Sequence, residues 1–249
     1  YIMAILESDE IRHPAIEAVI TSNEEIGMLG ADHLDMSALS AGRMINLDSE
    51  DEGIFLSGCA GGVRADCHLP IDSCDIKGTL LKIELTGFRG GHSGEEIDKK
   101  RANPNKVMGR LLYPYHDSLN LISVAGGLKD NAIPRSSTAT VVIPDEDGAK
   151  ELEDELSRLF LSIKEEYRIS DPEINISITS EESGTYKALN DNLTETALRL
   201  LYVLPDGVIK MSPDIEGLVQ TSLNMGILRT GDKEIEYCYS LRSSVGKEK

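Results

Sequence analysis

None of the four cysteines, Cys59, Cys67, Cys74 and Cys238, belongs to a CxxC pair, which excludes a zinc knuckle and a thioredoxin-type motif. They read instead as reduced thiols of core or loops, as expected of a cytoplasmic protein. No run of about 18 apolar residues occurs, and no basic segment leads into an apolar core near the N-terminus, so neither a spanning helix nor a signal peptide is expected. Positive charge is scarce: 25 Lys and Arg stand against 43 Asp and Glu, a formal charge of −18. Such a surface repels phosphate backbones and anionic membranes, so neither nucleic acid nor membrane is an expected partner. Gly61 and Gly62 are followed by no GK[ST] or GxGxxG pattern, which removes a phosphate loop.

What is present is a change of pattern along 249 residues, enough for two modest domains. The first stretch alternates a helix over 1–8, a strand at AIEAVIT, a helix at GADHLDM and strands at RMINLD and GIFLSG. Short apolar runs separated by helices predict an α/β sheet with parallel strands, whose ligand crevice lies beyond the carboxyl ends of the strands. From about residue 63 alternating strands take over. GTLLKIELTG, a helix entered through Pro104, SLNLISVAGG, SSTATVVIP, a long helix and EINISIT give the order β-α-β-β-α-β of an α+β unit. The long helix carries Leu152, Leu156, Leu159, Ile163 and Tyr167 on one stripe. NLTETALRLLYVL, GLVQTSLNMGILRTG and EIEYCYSLRSS then read as a second, diverged copy of the unit's middle. The expected division is 1–62 and 63–249, the latter in halves of roughly 63–180 and a shortened 181–249.

Three carboxylates fall at predicted strand ends: Glu24 and Glu25 in TSNEEIG, and Asp48 in INLDSE. Adjacent acids at a turn are either a solvated turn or a device in which one ligates a divalent ion and the other reaches the water beside it. In GFRGGHSGEEI, His92 lies among glycines, where a backbone can approach a ligand closely and an imidazole can donate to a developing oxyanion; an incidental turn histidine is the alternative. Asn131 and Arg135 in GGLKDNAIPR offer amide and guanidinium groups on a loop, and Arg242 in SLRSS is either a surface cation or a fork for a carboxylate. His13, His33, His68 and His116 lack companions at ligand spacing and read as surface or packing residues.

Taken together, TSNEEIG, INLDSE, SGCAGG, GGHSGEEI, RANPNKVMGRLL, GGLKDNAIPR, TSLNMG and LRSS resemble the aminoacylhistidine (Xaa-His, β-alanyl-histidine) dipeptidases, a branch of the co-catalytic zinc exopeptidases. The resemblance implies a zinc-peptidase catalytic domain, represented by 1–62, followed by a lid domain over 63–249 that is duplicated in this branch. It implies Glu24 as general base, Glu25 and Asp48 as ligands of two divalent metal ions, with zinc the first choice and cobalt or manganese as alternatives, and His92, Asn131 and Arg242 as lid residues that grip a dipeptide. A homodimer is a further expectation. The branch's HxD element upstream of the paired glutamates, its bridging Asp and its downstream ligand His are not found here, so the chain reads as an internal fragment that is itself inactive. An aminoacylase or broader peptidase of the same superfamily, and a non-catalytic dimerising module, are the alternatives.

Overall fold

A computed structural model describes residues 1–24, 28–46, 52–54 and 58–249. The chain divides into two compact units, 1–57 and 58–249.

The first unit contains helices α1 (Ile2–Glu7) and α2 (Leu29–Asp32) and a 3-10 turn at Met36–Ala38. Among its described residues there is no strand: AIEAVIT has no ladder partner, and neither has 43–46. A strand exists only through its pairing, and here Ile16, Val19 and Ile20 remain exposed rather than packed on a neighbour. What organises this stretch is polar. The Glu17 carboxylate accepts from the Ser40 hydroxyl (2.7 Å) and the amides of Ser40 and Ala41 (3.0 and 2.8 Å), and these bonds, the Ser40 hydroxyl first, hold its pKa below the usual range.

The second unit is an antiparallel sheet with helices. Its strands and helices are β1 (Gly61–Pro70), β2 (Ser73–Thr86), β3 (Gly91–His92), α3 (Pro104–Leu112), β4 (Asn120–Gly126), β5 (Ala132–Ile133), β6 (Ser137–Ile143), α4 (Glu146–Glu166), β7 (Asn175–Leu189), α5 (Asp191–Val203), β8 (Gly207–Met211), β9 (Val219–Thr230) and β10 (Glu234–Ser243). The main sheet runs β1-β10-β9-β4-β6-β2-β7, with β8 added beside β9, while β3 and β5 form a small separate ladder. Each helix starts on a side chain that accepts an otherwise orphaned amide: Asn103 from Asn105 N (3.0 Å), Asp145 from Gly148 N (2.8 Å) and Asn190 from Leu193 N (2.9 Å). Of the stripe read in the sequence, Leu152, Leu156 and Ile163 are buried and Leu159 and Tyr167 half-buried against the core, and Phe160, not read in it, is buried with them. The stripe meets Leu81, Ile83 and Leu85 of β2, Val141 of β6 and Tyr237 of β10 in one core, and each fully buried leucine there contributes about 1.5–3 kcal/mol.

Period-two alternation separates the sheet's faces. Along β10, Ile235, Tyr237 and Tyr239 point into the helix-covered core, so Glu234, Glu236, Cys238, Ser240 and Arg242 occupy the other face. The helix α5 is followed by the antiparallel pair β9 and β10, as α3 is followed by β4 and β6.

Candidate functional site

In the first unit, Glu24 is exposed and sits in a turn that the sequence shapes residue by residue. Asn23 and Met28 are left-handed (φ 60° and 59°), Met28 N donates to Glu24 O (3.0 Å), and Gly30 N donates to Ser22 O (3.1 Å). A β-carbon on Gly30 would stand 2.3 Å from that Ser22 oxygen, so the closure requires glycine. Glu25 and Asp48, the expected metal ligands, lie outside the described residues. Their carboxylate chemistry is of the kind that divalent ions accept.

In the second unit, the three residues expected to grip substrate are brought together. His92, in β3, pairs with Ala132 of β5, and Ser93 N donates to Asn131 O (2.9 Å), which joins the histidine loop to the asparagine loop. Arg242 reaches the same place from β10. A β-carbon on Gly94 would lie 3.0 Å from both His92 Cε1 and Arg242 Cζ, so imidazole and guanidinium flank one glycine. The Arg242 Nε is buried with no hydrogen-bond partner among the described residues, and so is the hydroxyl of Ser93, the residue after His92. Buried donors without partners are uncommon in folded proteins, and two next to an exposed imidazole mark a place where polar groups have been left for something else.

The loops are fixed by groups that are not themselves part of the trio. Glu96 accepts from His92 N (2.9 Å), from Lys99 (2.9 Å) and from Arg101 (2.8 Å), and Arg101 also donates to Gly90 O. These bonds, that from Lys99 foremost, push the Glu96 carboxyl down to about 2, so it is ionised at neutral pH. Gly91, at φ 141°, leaves room for this network, since a β-carbon there would meet Glu96 Oε2 at 2.3 Å. The fully buried Asp171 receives Arg89 N (3.0 Å) on one oxygen and Ala102 N (2.8 Å) on the other, stapling together the two ends of the histidine loop. On the asparagine side, Asn131 N donates to Asp130 Oδ1 (2.9 Å), and the Asp130 carboxylate lies 3.7 Å from Arg64. Asn224 Nδ2 donates to Asp130 O and Ala132 O, both at 2.9 Å.

Sequence reasoning reaches the trio and misses its supports. Asp171 sits in SDP, where it reads as ordinary turn chemistry, and Asn224 lies inside TSLNMG without a spacing that singles it out. A second cluster is also invisible in the sequence: His68 and Glu236 are register partners on β1 and β10, and with Glu234 their ligand atoms all lie within 4.8 Å of one another. Imidazole and carboxylates suit a divalent transition ion, yet Arg229 already holds Glu236 (3.1 and 2.5 Å) and competes for it. The set shares no residue with the expected ligands Glu25 and Asp48.

No protein-family model matches the chain. It is 34% identical over 254 residues to the cytosol non-specific dipeptidase of Escherichia coli (strain K12), a comparison that covers 99% of this chain and 51% of the relative. It superposes on the crystal structure of an aminoacylhistidine dipeptidase from Vibrio alginolyticus with a TM-score of 0.80 and 32% identity, covering 99% of this chain and 51% of that one. The chain thus spans about half the length of the relatives it matches. No helix among the described residues is long and apolar enough to cross a membrane. With about a third of its residues shared over almost its whole length, with the fold of about half of such an enzyme, and with the eight motifs in order, the chain fits a fragment of the aminoacylhistidine dipeptidase family.

Proposed function

We propose that the protein hydrolyses dipeptides with a free N-terminus, of the Xaa-His or β-alanyl-histidine type, with residues 1–62 supplying part of the catalytic domain and 63–249 the lid. The observation that carries the reading is the meeting of His92 and Arg242 at Gly94, with the Asn131 loop bonded to the adjoining Ser93, in a chain similar to dipeptidases. Glu24 takes the proton of the attacking water and later delivers a proton to the departing amine; its exposure in a closed turn suits a base that must meet substrate. His92 donates to the oxyanion as the carbonyl becomes tetrahedral, and preformed donors at that position are worth about 2.7–4 kcal/mol in the transition state. Arg242 neutralises the terminal carboxylate of the dipeptide, which limits substrate length, and Asn131 binds the substrate with its side-chain amide. Two divalent ions, zinc first, with Glu25 and Asp48 among their ligands, supply Lewis-acid activation when bound.

The test is the full-length protein assayed with carnosine, Ala-Ala and an N-acetyl amino acid. Cleavage of carnosine in preference to both others is expected; equal cleavage of Ala-Ala would replace this reading with a broader peptidase, and preference for the acylated substrate with an aminoacylase. Glu24→Ala should lower kcat by at least about a hundredfold with little change in KM, as loss of general-base catalysis does. Near-normal turnover in that variant would remove the base from Glu24.

A further inference from the structure

We propose that Asn224 is a positioning residue that sets the Asn131 loop against the strand carrying Arg242, a role that rests on the dipeptidase reading above. Asn224 lies on β9 opposite Ser240 of β10, and the next same-face pair along the ladder is Ser222 with Arg242. Directly opposed residues of an antiparallel pair share a face, so Asn224 and Arg242 stand on the same side of the sheet, two residues apart in register. From there the Asn224 amide reaches up to the Asp130 and Ala132 carbonyls, one on each side of Asn131. Only the nitrogen end of the amide can face two carbonyl oxygens, which fixes its orientation.

The residue is only 1% exposed, and its Oδ1 has no partner among the described residues, so the side chain is held by the loop it supports. Packing leaves little slack around it: a β-carbon on neighbouring Gly226 would approach the Asp130 carbonyl to 2.3 Å. Asn131 keeps both backbone groups occupied, N on Asp130 and O on Ser93, while its exposed side chain has no partner among the described residues. Because Ser93 adjoins His92, the position imposed at Asn131 is passed on to the histidine loop. A buried amide on the sheet therefore sets two loops relative to the guanidinium, and a displacement of about 1 Å at such a site is enough to cost about a hundredfold in rate.

The experiment is a double-mutant cycle in the full-length protein, with a second readout that needs no activity. Asn224→Asp keeps the size and cannot donate to either carbonyl; Asn224→Ala removes the group, and the aspartate variant serves alone should the alanine variant not fold. Each is expected to lower kcat/KM on the best dipeptide by about a hundredfold. In an Asn131→Ala background the same change should cost clearly less, about tenfold, because the share carried by the Asn131 side chain is already gone and only that passed to the His92 loop remains. The Ser93 amide should also exchange faster with solvent in both single variants. A loss at Asn224 that persists undiminished when Asn131 is alanine, or an unaltered Ser93 amide, overturns the proposal. If the wild-type protein cleaves no dipeptide, the functional reading fails, and the amide exchange alone decides the positioning claim: faster supports it, unchanged overturns it.

Discussion

Asp171→Asn is the perturbation whose size follows most directly from the structure. The native carboxylate is 0% exposed and accepts two backbone amides, Arg89 N at 3.0 Å and Ala102 N at 2.8 Å. An asparagine can present its oxygen to one of them and must turn its NH2 toward the other, so one charge-assisted bond is lost and a buried N–H meets a donor. A hydrogen bond to a charged group is worth about 1.5–3 kcal/mol and an unsatisfied buried amide costs about 1–3 kcal/mol, so a loss of about 3 kcal/mol is a central value. For a unit the size of 58–249, each kcal/mol moves the melting temperature by about 2–4 °C, so the variant should melt roughly 6–12 °C lower. Thermal unfolding by circular dichroism measures the global effect. Hydrogen exchange at the Arg89 and Ala102 amides measures the alternative form of the same loss, in which the loop opens locally while the core stays folded. A variant that melts within about 2 °C of the wild type and keeps both amides protected would refute the idea that Asp171 staples the loop.

Asp206 is half-buried, and desolvation raises its carboxyl to about 6, against bonds from Met225 N (2.7 Å) and Asn103 Nδ2 (2.9 Å), both on Oδ1. The folded chain binds this proton more tightly than the unfolded one, so stability from this group is present at low pH and declines as pH rises through the window from about 4 to 6. Asp206→Asn retains the oxygen that makes both bonds, and its stability relative to wild type should improve by about 3 kcal/mol between pH 3.5 and pH 7; equal urea midpoint differences at the two values would contradict this. Gly94→Ala should place a methyl against His92 and Arg242 at 3.0 Å, lowering kcat/KM on dipeptides about tenfold or more while moving the melting temperature by less than about 2 °C, because Gly94 is exposed and not in a left-handed conformation. Unchanged kinetics in that variant would separate Gly94 from the site.

The sheet and helices of the second unit are legible because their signals are local. Leu152, Leu156 and Ile163 recur at helical spacing, and Asn103 with Pro104 announces the start of α3. Strand β1 is not legible. Its residues, read as the seam between domains, acquire strand structure from β10, which lies far along the chain. The same nonlocality works in reverse for AIEAVIT, whose composition suits a strand but which has no ladder partner among the described residues. At the site, His92, Asn131 and Arg242 stand out because glycines or functional side chains surround them in short motifs. Asp171 and Asn224 do not, since their meaning lies in which distant amides and carbonyls they meet.

The placement of β10 has a consequence for biosynthesis. This strand is inserted between β1 and β9, so the guanidinium of Arg242 arrives only after both neighbours have left the ribosome. The loops bearing His92 and Asn131 emerge more than a hundred residues earlier, and at about 5–20 residues per second that interval lasts roughly 5–20 s. During it a nascent chain exposes two-thirds of the trio and the unzipped flank of β9. Assembly of the His92, Asn131 and Arg242 cluster and closure of that flank are thus one event, so a chain still being translated has neither the assembled cluster nor a sealed sheet.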